Sequence, residues 1–216
     1  MTSPERVIVV GASGFGRECL DVLEAMDAAG AAVTVVGVVD DWPSRQNLDR
    51  LAARRVEYLG TLTAWLAAGV GETCYVLGIG DPLVRRRLVA LLDEAGARPG
   101  TAIHPTATLG SGVRIGEGVI ICAGAVISTN VRLGRHVHIN PNATIGHDAA
   151  LSDFVSINPA AVVSGEVKVG GGTLIGAASV ILQGLAVGRG SVIGAGAVLT
   201  KGAPGDVVIK GVPGSW

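Results

Sequence analysis

Four histidines, at positions 104, 136, 138 and 147, carry most of the proton chemistry that this sequence offers. Among side chains, imidazole has the ordinary pKa that best suits proton exchange near neutral pH. His147 is followed directly by Asp148, and an adjacent carboxylate can orient an imidazole or favour its protonated form. This pair is the first candidate for a catalytic group, and its placement depends on the pattern around it.

A six-residue repeat surrounds the pair and runs from Ile103 to Leu199. Seventeen consecutive repeats begin with Ile, Leu or Val, and Gly often follows. This period fits neither an α-helix nor an alternating surface strand, and it is the signature of a parallel β-helix with the aliphatic residue inside. Pro141 and Pro159 stand 18 residues apart in matching Ile-Asn-Pro strings, which indicates that three repeats form one coil of a triangular prism.

The phase of the repeat decides which histidines could act. His147 occupies the third place of its repeat, outside the packed interior, and the residue 18 positions later is Gly165. The missing side chain at Gly165 would leave room for a thioester beside the imidazole. His136 and His138 fall at the fourth and sixth places, where we interpret them as ordinary surface residues. His104 lies at the entrance of the prism.

A glycine-rich turn near the N-terminus is the second candidate site. A predicted buried strand over residues 7–10 leads into Gly11-Ala-Ser-Gly-Phe-Gly16 and then into a predicted helix. Backbone N–H groups at such a helix start favour phosphate. The next predicted strand ends at Asp40 and Asp41, where a ribose or base is often held. The spacing G-x-x-G-x-G differs from the dinucleotide fingerprint, so a simple tight turn is the alternative.

The predicted elements define two domains. We predict alternating strands and helices over residues 7–10, 17–29, 33–39, 62–68, 74–79 and 83–95. Residues 42–58 are expected to be irregular, residues 96–100 to form a hinge, and Arg85 to lie with its arginine neighbours on a solvated helix face. The result is an α/β, Rossmann-like domain over residues 1–97 followed by a parallel β-helix over residues 98–216. The first domain is too short for a full dinucleotide fold and suits a ligand with one mononucleotide.

Composition excludes several classes of function. The formal charge is −1 and no basic block is present, which argues against nucleic-acid binding. Apolar runs are short and interrupted, so we expect no membrane span and no signal peptide. Cys19, Cys74 and Cys122 are scattered and odd in number. That pattern favours buried, reduced thiols in a cytoplasmic protein over a disulfide framework or a metal site.

These features together resemble one family. A strand-GASGFG-helix unit, an Asp-Asp pair, Gly-Ile-Gly-Asp before a helix, and a prism with N-x-x-x-x-x-G-H-D are similar to sugar acyltransferases related to sialic-acid O-acetyltransferases and bacillosamine-pathway N-acetyltransferases. The resemblance implies a left-handed β-helix, although parallel crossovers in general favour the right hand. It also implies a homotrimer with acetyl-CoA in clefts between neighbouring prisms and no metal.

The resemblance also implies roles for individual residues. His147 would be the general base, with Asp148 beside it and Asn140 nearby, and the backbone N–H of Gly165 would meet the thioester oxygen. Positions that match the lining of the CoA arm are Ala177 and Ala195. Positions that match the surroundings of a nucleotide-sugar are Gly11, Ser13, Gly14, Asp40 and Asp41. Phe15 and Ser156 match two further substrate-binding positions, near the acceptor, where many relatives carry His, so the acceptor can differ from the familiar aminosugars.

The leading interpretation is an acetyl-CoA-dependent transferase that acetylates an amine or hydroxyl of a nucleotide-linked sugar by direct attack. One alternative is the same scaffold acting on a non-sugar amine or alcohol in secondary metabolism. Another is a β-helix that only assembles trimers or binds a metal, which would need a third ligand beside His136 and His138. Outward apolar residues favour trimer formation, namely Ile120, Val126, Val162, Leu174 and Val192.

Overall fold

The computed structural model describes residues 5–216, in which an α/β layer precedes a long prism. The layer consists of β1 (Glu5–Val10), α1 (Gly14–Ala28), β2 (Val33–Val39), α2 (Arg45–Ala53), α3 (Leu62–Ala67), β3 (Cys74–Leu77), α4 (Pro82–Glu94) and β4 (Arg98–Pro99). Its strands form a parallel sheet in the order β2-β1-β3-β4. Every residue of β3 is buried, as expected for a parallel strand covered on both faces. Between residues 5 and 216, no helix has the length and apolar character that a membrane span needs.

Most predicted elements of this layer are confirmed, and two are wrong. Residues 42–58 were expected to be irregular, but α2 lies among them, and the hydroxyl of its N-cap Ser44 accepts a hydrogen bond from the Asn47 N–H at 3.2 Å. The sequence gives little indication of α2, because Leu51 is the buried residue of this helix and its apolar residues show little helical periodicity. The expected hinge contains β4, which pairs with β3. The domain boundary at residue 97 stays a prediction.

The prism has three flat faces built from two-residue strands. Face 1 contains β5 (Ala102–Ile103), β8 (Ile120–Ile121), β11 (His138–Ile139), β14 (Ser156–Ile157), β17 (Leu174–Ile175), β20 (Val192–Ile193) and β22 (Val208–Ile209). Face 2 contains β6 (Thr108–Leu109), β9 (Val126–Ile127), β12 (Thr144–Ile145), β15 (Val162–Val163), β18 (Val180–Ile181) and β21 (Val198–Leu199). Face 3 contains β7 (Arg114–Ile115), β10 (Arg132–Leu133), β13 (Ala150–Leu151), β16 (Lys168–Val169) and β19 (Ala186–Val187).

The predicted coil length is confirmed by the strand register. His138 pairs with Ser156 and Ile139 with Ile157, so residues 18 apart stack as expected. The second residue of each strand points inward, and from β8 onward these Ile, Leu and Val side chains form one buried aliphatic column. The β-helix is left-handed, in agreement with the resemblance.

The corners of the prism share one backbone conformation. The fourth residue of each repeat has a positive φ in fifteen consecutive repeats, from Gly112 to Gly196. Glycine is favoured there because it has no Cβ to clash, yet His136 and Asp148 adopt the same conformation with φ of 53° and 60°. The corner geometry therefore sets the backbone conformation at both residues independently of the side-chain type.

The α/β layer covers the lower part of face 1. The outward residues of β5, β8, β11 and β14 are all buried, including Ile120. Ile120 was expected to contribute to a trimer interface, and that prediction is wrong for this residue. Val126 and Val192 remain exposed, and Val162 and Leu174 are half-buried.

Arg85 fastens α4 to the prism and is fully buried, so its predicted place on a solvated face is wrong. Its guanidinium donates to the Phe154 carbonyl at 2.9 Å and to the Ser156 hydroxyl at 3.0 Å. It also donates to the carbonyls of Ile79 and Gly80. Burial lowers the pKa of Arg85 to about 9. The side chain thus connects the end of β3 to a corner of the prism.

His136 and His138 are also buried where the α/β layer meets the prism, a contact region that we call the seam. This burial corrects their interpretation as surface residues. The ring of His136 stacks between Tyr75 and Phe154, with centroid distances of 6.0 and 5.4 Å. Burial lowers the pKa of His136 to about 4 and that of His138 well below its ordinary value. Neither ring has a hydrogen-bond partner within residues 5–216. The three cysteines of this part of the chain are buried thiols without disulfide bonds, as their spacing predicted.

Candidate active site

His147 and Asp148 form a hydrogen-bonded pair at the corner between faces 2 and 3. Nδ1 of His147 lies 2.8 Å from Oδ2 of Asp148, and both side chains are about half exposed, at 45% and 49%. The side-chain amide of Asn130, which lies one coil earlier in the chain, donates to Oδ1 of Asp148 at 3.1 Å. The hydrogen bonds from His147 and then Asn130 lower the pKa of Asp148. An ionised Asp148 assigns the proton of the neutral imidazole to Nδ1 and leaves Nε2 as the acceptor.

Gly165 lies against the ring of His147. A Cβ placed on Gly165 would come 2.5 Å from Nε2 of His147. The missing side chain therefore makes room for the imidazole itself, whereas we had expected it to make room for a thioester. The backbone N–H of Gly165 makes no hydrogen bond within the described chain. The half-exposed imidazole of His147 thus packs on a buried glycine whose N–H is unused.

Asn140, Ala177 and Ala195 occupy a different corner, between faces 1 and 2. Asn140 is 8% exposed, and its amide donates to the carbonyl of Ile157 at 2.8 Å. Strand β12 separates this corner from His147, so one chain does not bring the two sets together. Their predicted contributions to one site stay predictions, and they require that two corners from different copies meet.

The glycine turn opens the N-terminus of α1. Ser13 is the N-cap without a side-chain cap bond, and Ser13 and Gly14 are both exposed. A Cβ on Gly14 would meet nothing within 4 Å, whereas a Cβ on Gly16 would collide with the carbonyl oxygen of Gly11. Gly16 is therefore required for packing, and the N–H groups around Gly14 remain open to an anion.

The two aspartates after β2 accept hydrogen bonds from the backbone of different segments. Oδ2 of Asp40 accepts from the Ala12 N–H at 2.7 Å, and Oδ1 accepts from the Trp42 N–H at 2.9 Å. Oδ1 of Asp41 accepts from the Leu62 N–H at 2.9 Å. Asp40 therefore holds the glycine turn to β2, and the second carboxylate oxygen of Asp41 makes no hydrogen bond within residues 5–216.

A cavity of about 340 Å³ lies beside this turn. Its polar rim is formed by Gly11, Asp40 and Asp41, and its remaining walls are formed by Val10, Trp42, Leu62, Ile79, Val84 and Leu88. The cavity lies beyond the carboxyl ends of β1, β2 and β3, where the chain crosses from one side of β1 to the other. Ligands of open α/β sheets bind at such a switch point.

Phe15 and Ser156 both lie at the seam between the layer and the prism. The Phe15 ring packs on His138 at a centroid distance of 4.9 Å. Ser156 is buried, and its hydroxyl donates to the Gly80 carbonyl at 3.1 Å besides accepting from Arg85. Within residues 5–216, no three His, Cys, Asp or Glu side chains form a group that could hold a metal, so His136 and His138 gain no third ligand.

Comparison with known proteins agrees with this arrangement. The family model of the PglD N-terminal domain matches residues 6–92, and the model of the hexapeptide repeat of succinyl-transferase matches residues 166–201. A mutant of perosamine N-acetyltransferase from Caulobacter crescentus, solved with CoA and GDP-perosamine, is 30% identical with a TM-score of 0.85. The match covers 97% of this chain and 95% of that one. The chain belongs to the bacillosamine-type family of hexapeptide-repeat sugar acetyltransferases.

A second relative extends the comparison within this family. The acetyltransferase domain of PglB from Neisseria gonorrhoeae is 28% identical over 98% of both chains, with a TM-score of 0.85. The same domain solved with acetyl coenzyme A is 27% identical over 99% of both chains, with a TM-score of 0.83. No protein of curated function matches this sequence. As a member of this family, the protein is an acyltransferase.

Proposed function

We propose that this enzyme transfers the acetyl group of acetyl-CoA to an amine of a nucleotide-linked sugar, with His147 as the general base. One observation carries the proposal: Asp148 orients the imidazole so that Nε2 is free beside the unused N–H of Gly165. The similarity to acetyltransferases that were solved with CoA or acetyl-CoA supports the donor. The N-acetyltransferase from Caulobacter favours an amine over a hydroxyl.

The proposed reaction is a direct attack without an acyl-enzyme. The acceptor amine forms a bond to the acetyl carbon while Nε2 of His147 removes its proton, which is general-base catalysis. The N–H of Gly165 donates to the oxyanion that develops on the acetyl oxygen. The carbon–sulfur bond then breaks, and the CoA thiolate leaves and receives the proton from the imidazolium.

Residues 1–97 would bind the acceptor, and residues 98–216 would perform acyl transfer. The open N-terminus of α1 at Ser13 and Gly14 suits the diphosphate, and the neighbouring cavity suits the nucleoside. The bound GDP-perosamine of the Caulobacter relative supports a nucleotide-sugar. We keep Asp40 and Asp41 in the acceptor site, where Asp40 shapes the turn and Asp41 offers the free oxygen.

A homotrimer would complete the site. His147 and the set of Asn140, Ala177 and Ala195 lie on different corners of one prism, so a cleft between two copies would bring them together. Exposed apolar side chains on face 2, such as Val126 at 42% exposure, favour association. Light scattering that shows a stable monomer at micromolar concentration would contradict this part of the proposal.

A second candidate function is acetylation of a non-sugar amine or alcohol. It is favoured by the seam itself, because Phe15 is packed on His138 and the Ser156 hydroxyl is already bonded to Gly80 and Arg85. Neither side chain then offers a free polar group to a sugar.

Thiol release from acetyl-CoA tests both candidates in one assay. The acceptors should include 4-amino-sugars linked to UDP, GDP and dTDP, their hydroxyl counterparts and free amines. We expect turnover with at least one nucleotide-linked amino sugar. Turnover with free amines alone would replace the proposed function by the second candidate.

A further inference from the structure

Trp42 is an exposed tryptophan at the cavity beside the glycine turn. Its side chain is 75% exposed, the largest value among the exposed large apolar side chains of residues 5–216. The other two tryptophans differ, because Trp65 packs against a core cluster and the ring of Trp216 lies under the Lys201 ammonium at 4.6 Å. A single exposed apolar side chain is ordinary, so the exposure of Trp42 indicates a function only together with its location at the cavity.

The backbone of Trp42 is fixed with respect to the phosphate-binding turn. Both oxygens of Asp40 are used, one on the Trp42 N–H at 2.9 Å and one on the Ala12 N–H at 2.7 Å. The same carboxylate therefore sets the position of Trp42 relative to the start of α1. The indole is held near a ligand site by its backbone, without being packed into the core.

The cavity wall around the indole is apolar. It includes Leu62 of α3 and Val84 and Leu88 of α4, with Asp41 at the edge. Val84 is itself 39% exposed, so part of this apolar wall faces solvent. A slot with an aromatic side chain, an aliphatic wall and one free carboxylate oxygen matches a flat ring that carries N–H donors at its edge. A nucleobase has this chemistry, and aromatic side chains stack on any base.

We propose that Trp42 is the stacking platform for the nucleobase of the acceptor. This inference rests on the proposed function, because it assumes that the acceptor carries a nucleoside diphosphate. The diphosphate occupies the open N-terminus of α1 at Ser13 and Gly14, and the base extends into the cavity against the indole. Trp42 thereby sets affinity for the nucleotide part of the acceptor and takes no part in acyl transfer.

Calorimetry on the full-length protein tests this assignment. The probes are UDP, GDP, dTDP and inorganic pyrophosphate, and the variants are Trp42→Ala, Trp42→Phe and, as a control, Trp216→Phe. We expect Trp42→Ala to weaken the tightest nucleoside diphosphate by roughly 5- to 150-fold, the range of base–aromatic stacking. Trp42→Phe should retain most of the affinity, and pyrophosphate should bind all variants equally.

Kinetics separate this inference from the proposed function. In Trp42→Ala, KM for the nucleotide-sugar should rise while kcat and KM for acetyl-CoA stay the same. Unchanged nucleotide affinity in Trp42→Ala, or an equal loss for pyrophosphate, would overturn the stacking role while acetylation of nucleotide-sugars persists. A wild-type protein that neither binds nucleoside diphosphates nor acetylates nucleotide-sugars would overturn the proposed function together with this inference.

Discussion

The imidazole of His147 and the carboxylate of Asp148 meet at 2.8 Å although the two residues are adjacent in sequence. Neighbouring side chains of an extended strand point to opposite faces, so this contact depends on the corner. Asp148 has a φ of 60°, the conformation that fifteen consecutive corners of the prism adopt at the fourth place of the repeat. The corner backbone of the fold therefore brings the orienting carboxylate to the imidazole.

Replacing His147 tests the proposed general base. We expect His147→Ala to lower kcat by about 10²- to 10⁴-fold, the usual contribution of general-base catalysis. Stability should change little because the side chain is half exposed. Steady-state thiol release with the best acceptor is the measurement, and His104→Ala, at the prism entrance, is the control. Near-normal turnover in His147→Ala would place the base elsewhere.

Asp148 should affect the rate less than His147 does. The pKa of Asp148 is lowered by its hydrogen bonds, so the carboxylate is ionised throughout the neutral range. Asp148→Ala should therefore reduce kcat by an amount between the effects of His147→Ala and His104→Ala. Asn130→Ala removes one of the two donors, so the pKa of Asp148 should rise and activity should fall only in acid. A pH–rate profile of the three variants checks this order, and a neutral-pH loss in Asn130→Ala as large as that in His147→Ala would contradict it.

The buried histidines should make the fold sensitive to acid. The unfolded chain binds protons at His136 and His138 below about pH 6.5, the ordinary histidine value. The folded chain resists protonation of His136 down to about pH 4. The contribution of these two histidines to stability is therefore complete above about pH 6.5 and is lost as the pH falls, by up to about 1.4 kcal/mol per pH unit for each histidine.

Urea unfolding between pH 4 and 8 measures this effect. His136→Asn should flatten the dependence on pH, since Asn has no charge to gain and tolerates the positive φ of this corner. His104→Asn should leave the slope unchanged. An equal slope in the wild type and His136→Asn would show that His136 does not titrate with unfolding.

The sequence was sufficient to predict everything that depends on the period of six. The outward direction of His147 and its stacking beside Gly165 follow from counting along the chain. The same count placed His136, His138 and Ile120 outside the prism, which is correct for the prism alone. Their burial depends on where the α/β layer docks, and that contact joins residues more than 50 positions apart, such as Arg85 and Ser156.

The candidate site was predictable in part for the same reason. His147 and Asp148 are sequence neighbours, and Gly165 is one coil away, so the repeat fixes all three. Trp42 carried no signal in the sequence, because it follows the strand that ends at Asp40 and has no periodic partner. Only the fold brings it to the cavity beside Gly11.

Arg85 provides the test of how the two parts are held together. Arg85→Ala would leave the carbonyls of Ile79 and Phe154 without this buried donor. The Gly80 carbonyl and the Ser156 hydroxyl would keep the hydrogen bond between them. Each unsatisfied buried group costs about 1–3 kcal/mol, so we expect a loss of about 3 kcal/mol or more in the free energy of unfolding.

Arg87→Ala is the matched control on the same helix, because Arg87 is exposed and surface substitutions usually stay within about 0.5 kcal/mol. Denaturant unfolding of both variants at pH 7.5 gives the comparison. Arg85→Lys adds a second measurement, since it keeps the charge but loses the planar set of donors that reaches both Ser156 and Phe154. It should recover only part of the loss. Equal stability of Arg85→Ala and Arg87→Ala would mean that apolar contacts alone hold α4 against the prism.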